Sequence, residues 1–472
     1  MIKIPIEEVS FNPTSYIDPN GRVFEWKGEI FRAISPKMAP FYLELWEKEV
    51  FKELQDKGLL VKTERTSFGI ENCDLVLKHS KISFQTYCTE WPAPMLKEVA
   101  LLTLDINLKL AESNLTLQDA YPWNVYFEGT KPVFVDICSI IPVDPDLIWG
   151  AYHQFCRFFL YPLYLHSNGK GKIVRSLLMH YWEGVQDNDF LNAIPVSYKL
   201  TRPRIMFRII LPSLLERIFN ALPPNWQAKF RNQGGRLHNK FNTPALRIKF
   251  LSTLRRDVES INVSAQRTHW SNYYQEKFPL LEDTRNPNAK QKIISNVLDR
   301  LSPKTVLDIG CNTGYYSIMA AEKGAKVVAL DKDESCISQL YYKAKEKGLY
   351  VTPLVMDFIN PSPSFGWCCK QFPSAIERLK CEGVLCLSLI HHLVLKQWQN
   401  FDRLAEALSA FSDKWVLLEF VPREDEYVRA HWDERFDWYS LETLVKHLSS
   451  HFRKIQVFDS YPEGRKLLVC EK

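Results

Sequence analysis

The sequence has no apolar run long enough to cross a bilayer, which takes ~18–20 residues. Its nearest approach, from Ile205 to Leu222, is broken by Arg208, Glu216 and Arg217. The first eight residues, Met1 to Glu8, lack the apolar core of a secretory signal. Paired C-x-x-C spacing is also missing. The 11 cysteines are scattered between Cys73 and Cys470, so neither a zinc ribbon nor a spaced disulfide framework is expected, and no metal site is read from them. Several lie inside apolar runs, where a free thiol behaves as a small hydrophobe, as suits a reducing compartment. Excess charge is small too: +5 over 472 residues does not argue for a nucleic-acid partner. With 46% apolar and 24% charged residues, the composition is that of an ordinary globular chain without long disordered stretches. These absences lead to the expectation of a soluble, cytoplasmic protein with room for two or three domains.

Three regions follow one another, with no internal repeat. Residues 1–165 mix short β-like runs with helical ones and read as an α+β domain. The β-like runs include Asp74 to Leu77, Ile82 to Tyr87 and Pro132 to Ile137. Between them, Val99, Leu102, Ile106 and Leu110 fall at helical spacing from Met95 to Glu112. Residues 166–284 read as mostly helical and basic, continuing the first domain, with Arg202, Arg204, Arg208, Arg217, Lys229, Arg231, Arg236, Lys240, Arg247, Lys249, Arg255 and Arg256. Such a set is most simply a solvated helix face. The polar stretch Glu282 to Asn288, with Pro287 in it, reads as a loop.

From 285 to 472 strands and helices alternate. Strands are predicted at Thr305–Ile309, Lys326–Leu330, Val351–Met356, Gly383–Leu389 and Trp415–Phe420. Helices are predicted at Lys290–Leu301, Tyr315–Lys323 and Glu334–Lys347. That alternation implies an α/β fold, doubly wound around a mostly parallel sheet, and a segment able to fold without the rest.

Within it, Val306-Leu307-Asp308-Ile309-Gly310-Cys311-Asn312-Thr313-Gly314 joins an apolar strand ending in an acid to a glycine turn and a helix. Glycines let backbone approach a ligand closely, and a helix N-terminus favours a carboxylate. Asp331 ends the next strand, where a carboxylate can accept both hydroxyls of a ribose. A dinucleotide site would show G-x-G-x-x-G. Here the spacing is G-x-x-x-G, and Asp308 can face the positively charged amino end of a ligand. The pattern resembles the first motif of class I S-adenosylmethionine-dependent methyltransferases, which carry a seven-stranded sheet.

On that resemblance Asp308, Gly310, Cys311, Asn312 and Gly314 form the cofactor loop, Asp331 holds the ribose, and Asp357 contacts the adenine amine. Asn312 replaces a glycine common at its position, and Asn tolerates positive φ. The fourth strand ends in His391-His392, at the sheet edge where ligands bind and where an imidazole can take a proton from a methyl acceptor. A helix cap is the plainer reading of that pair. Glu419, in Leu418-Glu419-Phe420-Val421-Pro422, follows strand five. His391, His392 and Glu419 are the candidate catalytic residues. Together these motifs resemble a bacterial methyltransferase group that includes rhizobial host-specific nodulation proteins. The implied cofactor is S-adenosyl-L-methionine and the implied acceptor a small molecule or saccharide.

The first region carries a second pattern. Asp119, then Asn124, then Asp136 at the end of an apolar strand resembles the catalytic loop and metal-binding acid of the kinase-like fold, in which those residues act as base and as two Mg²⁺ ligands. The resemblance is incomplete. No His-Arg precedes Asp119, Ile137 stands where a glycine would, and no glycine-rich loop lies upstream. Lys78 ends an apolar strand like the strand-three lysine of that fold, though too near the following strand. The alternative function is therefore a kinase-like binding or phosphotransfer module with an accessory methyltransferase-fold domain.

Overall fold

Seven strands build the C-terminal sheet: β1 (Thr305–Ile309), β2 (Lys326–Asp331), β3 (Val351–Val355), β4 (Cys381–Cys386), β5 (Ser412–Phe420), β6 (Lys454–Asp459) and β7 (Lys466–Glu471). In this computed structural model they lie in the order β3-β2-β1-β4-β5-β7-β6. The first five are parallel, and β7 runs antiparallel to both neighbours. The structure describes every residue except 1, 17, 146, 181, 202–222, 224–242, 265–266 and 273–286. Most of the basic set from Arg202 to Lys240, and most of the expected loop at 282–288, therefore lie outside the described residues.

Strands β1 to β4 are buried on both faces, which is why they read as apolar runs rather than alternating ones. Helix Ala289–Leu301 opens with a reciprocal cap between Asn288 and Gln291. Helix Glu334–Lys347 starts on the Asp333 carboxylate and stops at Gly348, where φ is 64°. Strand order reverses between β1 and β4, and ligands of open α/β sheets bind at such a reversal.

The N-terminal half holds a five-stranded antiparallel sheet in the order Ser10–Phe11, Gly21–Trp26, Glu29–Ile34, Leu75–His79, Thr63–Arg65. Helices Ala39–Glu47 and Val50–Asp56 follow its third strand, and the long helix Ala93–Ala111 packs against helix Pro244–Glu259. The stretch Ile82 to Tyr87, read as a strand, is irregular instead: Phe84 and Tyr87 are fully buried and anchor a connection. In the middle region helices are described at Gly171–His180, Asp187–Ala193, Val196–Thr201 and Pro244–Glu259. Among the described residues no helix is long and apolar enough to cross a membrane.

The C-terminal segment does not stand free of the rest. One apolar core joins Phe84, Tyr87 and Trp91 to Leu354, Met356 and Phe372. The Val355 N–H donates to the Glu90 carbonyl at 2.7 Å, so β3 itself is tied to the N-terminal half. Glu90 and Arg378 form an ion pair whose side chains are each 1% exposed.

Candidate functional site

The loop after β1 is fastened to β2. The N–H groups of Gly310 and Cys311 both donate to the Leu330 carbonyl, at 2.8 and 3.0 Å. Gly310 has φ 69° and Asn312 φ 53°, the positive value its side chain tolerates. The Asn312 N–H donates to Asp331 Oδ2 at 2.9 Å, and the Asp333 N–H donates to Oδ1 at 2.9 Å. Gly314, at φ 79°, caps helix Tyr315–Glu322. Asp308 is buried, and the Ser317 hydroxyl donates to its Oδ2 at 2.6 Å. Burial, reinforced by the nearby Asp331 charge, pushes the Asp308 carboxyl up to about 6. Burial also raises Asp331, against the two amides that favour its charge. The Met356 N–H donates to the Asp331 carbonyl at 2.9 Å, which sets Asp357 beside Asp331 at the end of β3.

His391 and His392 occupy the first turn of helix Ile390–Gln397, directly after β4. Their ring centroids are 4.1 Å apart, and Tyr427 lies 4.4 Å from His392. Trp270 lies 5.6 Å from His392, while its carbonyl accepts from the Asn312 side chain at 3.0 Å. Burial drives His391 well below the ordinary imidazole range and takes His392 down to about 4. Both rings are therefore neutral at pH 7, and His391 Nδ1 has no hydrogen-bond partner.

Glu419, the third candidate catalytic residue, is engaged by hydrogen bonds on both carboxylate oxygens. It is fully buried on β5. Lys290 Nζ and Ser388 Oγ both donate to its Oε2 at 2.6 Å, and Ser460 Oγ donates to Oε1 at 2.9 Å. Burial opposes its charge, but Lys290 and Arg465 outweigh that and hold the carboxyl below its usual range. With both oxygens engaged, Glu419 positions Lys290 and Ser388. Ser388 carries φ 51°, a sparsely populated conformation for a serine that marks sites held by their surroundings. Lys290, Ser388, Trp270 and Tyr427 were not singled out from sequence. Lys290 occupies one position of an amphipathic helix, and nothing local distinguishes it.

In the N-terminal half, Asp119, Asn124 and Asp136 converge. Asn124 Nδ2 donates to Asp119 Oδ1 at 2.8 Å and reaches Asp136 Oδ2 at 3.5 Å. Asp119 and Asp136 also accept from their own loops, at the N–H groups of Tyr121 and Cys138. Burial, with the Asp136 charge, pushes Asp119 up to about 7. Lys78 is not part of this cluster; it pairs with Glu29 near the surface. The third strand of the sheet supplies Arg32 instead. This buried guanidinium sits 2.7 Å from Asp136 and 3.3 Å from Asp18.

Residues 306–409 match the family model described as a methyltransferase domain. The chain is 28% identical over 456 residues to nodulation protein NoeA of Rhizobium meliloti (strain 1021), covering 93% of this chain and 92% of that protein. It is 26% identical over 150 residues to the O-antigen chain terminator bifunctional methyltransferase/kinase WbdD of Escherichia coli, covering 30% of this chain and 20% of that one. A solved structure of the bifunctional kinase-methyltransferase WbdD aligns with 41% of this chain and 42% of its own, at 21% identity and a TM-score of 0.30.

Proposed function

We propose that this chain, an S-adenosylmethionine-dependent methyltransferase with a kinase-like N-terminal part, methylates a hydroxyl-bearing small molecule or saccharide in the cytoplasm. The observation that carries the reading is the meeting, at the carboxyl ends of β1, β2 and β4, of a glycine loop, Asp331 and two neutral imidazoles. The residues fit the cofactor. Each Asp331 oxygen accepts one backbone N–H and keeps a lone pair for a ribose hydroxyl. Asp308, buried and reluctant to ionise alone, is suited to offset an ammonium group. Asp357, next to Asp331, would hold the adenine. Bound there, S-adenosylmethionine supplies an electrophilic methyl group. The chain's own part is to align the acceptor, exclude water and accept a proton. His391 and His392 are the candidates for the proton, and Glu419 acts indirectly by fixing Lys290 and Ser388. The name of the second relative, an O-antigen chain terminator, supports a saccharide acceptor.

Asp331→Ala should weaken S-adenosylhomocysteine binding while leaving the fold intact. A carboxylate accepting two hydroxyls contributes about 1.5–3 kcal/mol per charged hydrogen bond, so calorimetry should read a loss of tenfold or more. An unchanged dissociation constant would mean that the donor site lies elsewhere.

A second reading, phosphotransfer by the N-terminal part, is favoured by the convergence of Asp119, Asn124 and Asp136. Arg32, already paired with Asp136, competes there with a cation. Weak or absent ATP hydrolysis is expected, with calorimetric binding of ATP-Mg²⁺ as the measurement. Turnover at an ordinary kinase rate would show that Arg32 is no obstacle.

A further inference from the structure

The turn that carries Asp331 is tied to the N-terminal half by Glu334, the first residue of helix Glu334–Lys347. Its Oε1 accepts from the Ala93 N–H at 3.0 Å, and Arg175 Nη2 donates to its Oε2 at 2.8 Å. Ala93 opens helix Ala93–Ala111, and Arg175 belongs to helix Gly171–His180. One carboxylate thus serves the N-termini of two helices, where negative charge is favoured, and pairs with a third. The His166 ring stands alongside, with Nδ1 3.4 Å from Oε1. The packing here is close. A Cβ on Gly171 would lie 2.7 Å from Glu334 Oε2 and 2.8 Å from His166 Nδ1.

Little of this pair meets water: the Glu334 side chain is 18% exposed and that of Arg175 17%. Burial opposes the Glu334 charge, but His166 and Arg175 outweigh that and hold the carboxyl below its usual range. His166 contributes only when protonated, and burial takes its ring down to about 4. Near pH 7 Arg175 therefore carries the balance. The peptide just before Glu334 is that of Asp333. Its N–H is one of the two amides that orient Asp331, donating to Oδ1 at 2.9 Å. Its carboxylate caps the helix, accepting from the Ser335 and Cys336 N–H groups at 2.9 and 3.4 Å. Without Arg175, Glu334 would be left charged and mostly buried. It would move toward water, carry the first turn of the helix with it and turn the Asp333 N–H away from Asp331. The rest of the helix would stay docked. The Tyr341 hydroxyl donates to the Thr130 carbonyl at 3.3 Å, and Lys345 Nζ donates to Glu98 Oε1 at 2.6 Å.

We propose that Glu334 is a positioning residue for the methyl donor. Held by Ala93 and Arg175, it fixes the turn that aims Asp331 at the donor's ribose, so donor affinity depends on a contact from outside the methyltransferase domain. Neither Glu334 nor Arg175 touches the donor for this to hold. Binding groups work at full strength only when held within about 0.5 Å and 10–20° of their productive place, and the Asp333 amide is what holds one oxygen of Asp331 there. The inference rests on the assignment of Asp331 to the ribose.

A double-mutant cycle on the full chain tests it, with S-adenosylhomocysteine binding read by calorimetry. Arg175→Ala should weaken binding about fivefold, equivalent to ~1 kcal/mol. Glu334→Gln keeps an oxygen for the Ala93 N–H but not the charge that holds Arg175, so it should do the same. Arg175→Lys restores the charge and should recover part of the loss. Without ligand, all three variants should melt within a few degrees of the parent. In an Asp331→Ala background, Arg175→Ala should cost nothing further, because the acid it acts through is gone. Contacts that only support the fold would instead add in full. If Asp331→Ala itself leaves affinity unchanged, the ribose assignment falls and this inference with it. If Asp331→Ala weakens binding while Arg175→Ala and Glu334→Gln do not, or if the losses add, the ribose assignment stands and the role given to Glu334 is wrong.

Discussion

Glu90→Ala should destabilise the whole chain by about 3–5 kcal/mol, the usual cost of stripping one partner from a buried ion pair. Arg378 would lose its only carboxylate partner among the described residues. The rest of its surroundings would stay: the Gln85 and Pro373 carbonyls it donates to, and the Tyr87 ring 3.8 Å beneath its guanidinium. None of these carries a charge to replace the one lost. Domain stabilities run to ~5–15 kcal/mol, so the loss is a large fraction of the total. Equilibrium urea unfolding would measure it, and the double replacement of Glu90 by Met and Arg378 by Leu should recover much of it. A loss under 1 kcal/mol for Glu90→Ala would mean that the pair is solvated in solution. The same contacts bear on the 285–472 segment, whose complete alternation of strands and helices suggests independent folding. Cut at that point, the segment would present an unpaired Arg378 and the apolar side chains of Leu354, Met356 and Phe372 to water. It should be poorly soluble or only partly folded.

Much of the methyltransferase sheet is legible in the sequence, because β1 to β5 are apolar runs punctuated by Gly310, Gly314 and capping acids. Strands β6 and β7 are less so. Lys454–Asp459 is an edge strand with no fully buried position, so neither alternation nor a continuous apolar run announces it. Ile82 to Tyr87 fails in the opposite sense. Its β-branched and aromatic residues read as a strand, yet they serve a connection that packs between the two halves. Local composition says that such residues want burial, not whether a neighbouring strand exists to pair with them.

The sites divide in the same way. Gly310, Asn312 and Asp331 are joined by hydrogen bonds from the loop's own backbone to the adjacent strand, and Gly314 caps the helix that follows, so spacing along the chain is enough to bring them together. Glu419 accepts from Lys290, Ser388 and Ser460, and only the fold brings those together. Its place at the end of β5 is readable, but not the direction in which its carboxylate is held. Arg32 escapes notice because it sits in the apolar run Ile30-Phe31-Arg32-Ala33-Ile34, where sheet order alone reveals that its strand is the third. Lys78 has the more familiar local sequence and the wrong neighbours.

Gly314→Ala should abolish measurable binding of S-adenosylhomocysteine and lower stability by several kcal/mol. Two costs add at this position. An alanine held at φ 79° stays in the left-handed region at ~1–2 kcal/mol. Its Cβ would also lie 2.2 Å from Leu340 Cδ1 and 2.7 Å from Cδ2, an overlap that no small adjustment removes. Leu340 is fully buried in helix Glu334–Lys347, and overpacking of this kind costs ~1–3 kcal/mol. Relief comes from a turn of Leu340 within the core, from the loop, or from both. The loop holds Asn312 against Asp331 through a single 2.9 Å hydrogen bond, and its displacement would disturb the acid expected to hold the ribose. The double variant Gly314→Ala with Leu340→Ala separates the two costs. It removes the overlap but leaves the positive φ, and it opens a cavity of its own. If sterics dominate, the double variant should regain part of the cofactor binding despite being no more stable. Thermal melts with and without S-adenosylhomocysteine report both quantities at once. A single Gly314→Ala variant that melts and binds like the parent would show that the loop does not approach Leu340 this closely, and the geometry drawn for the cofactor site would fall with it.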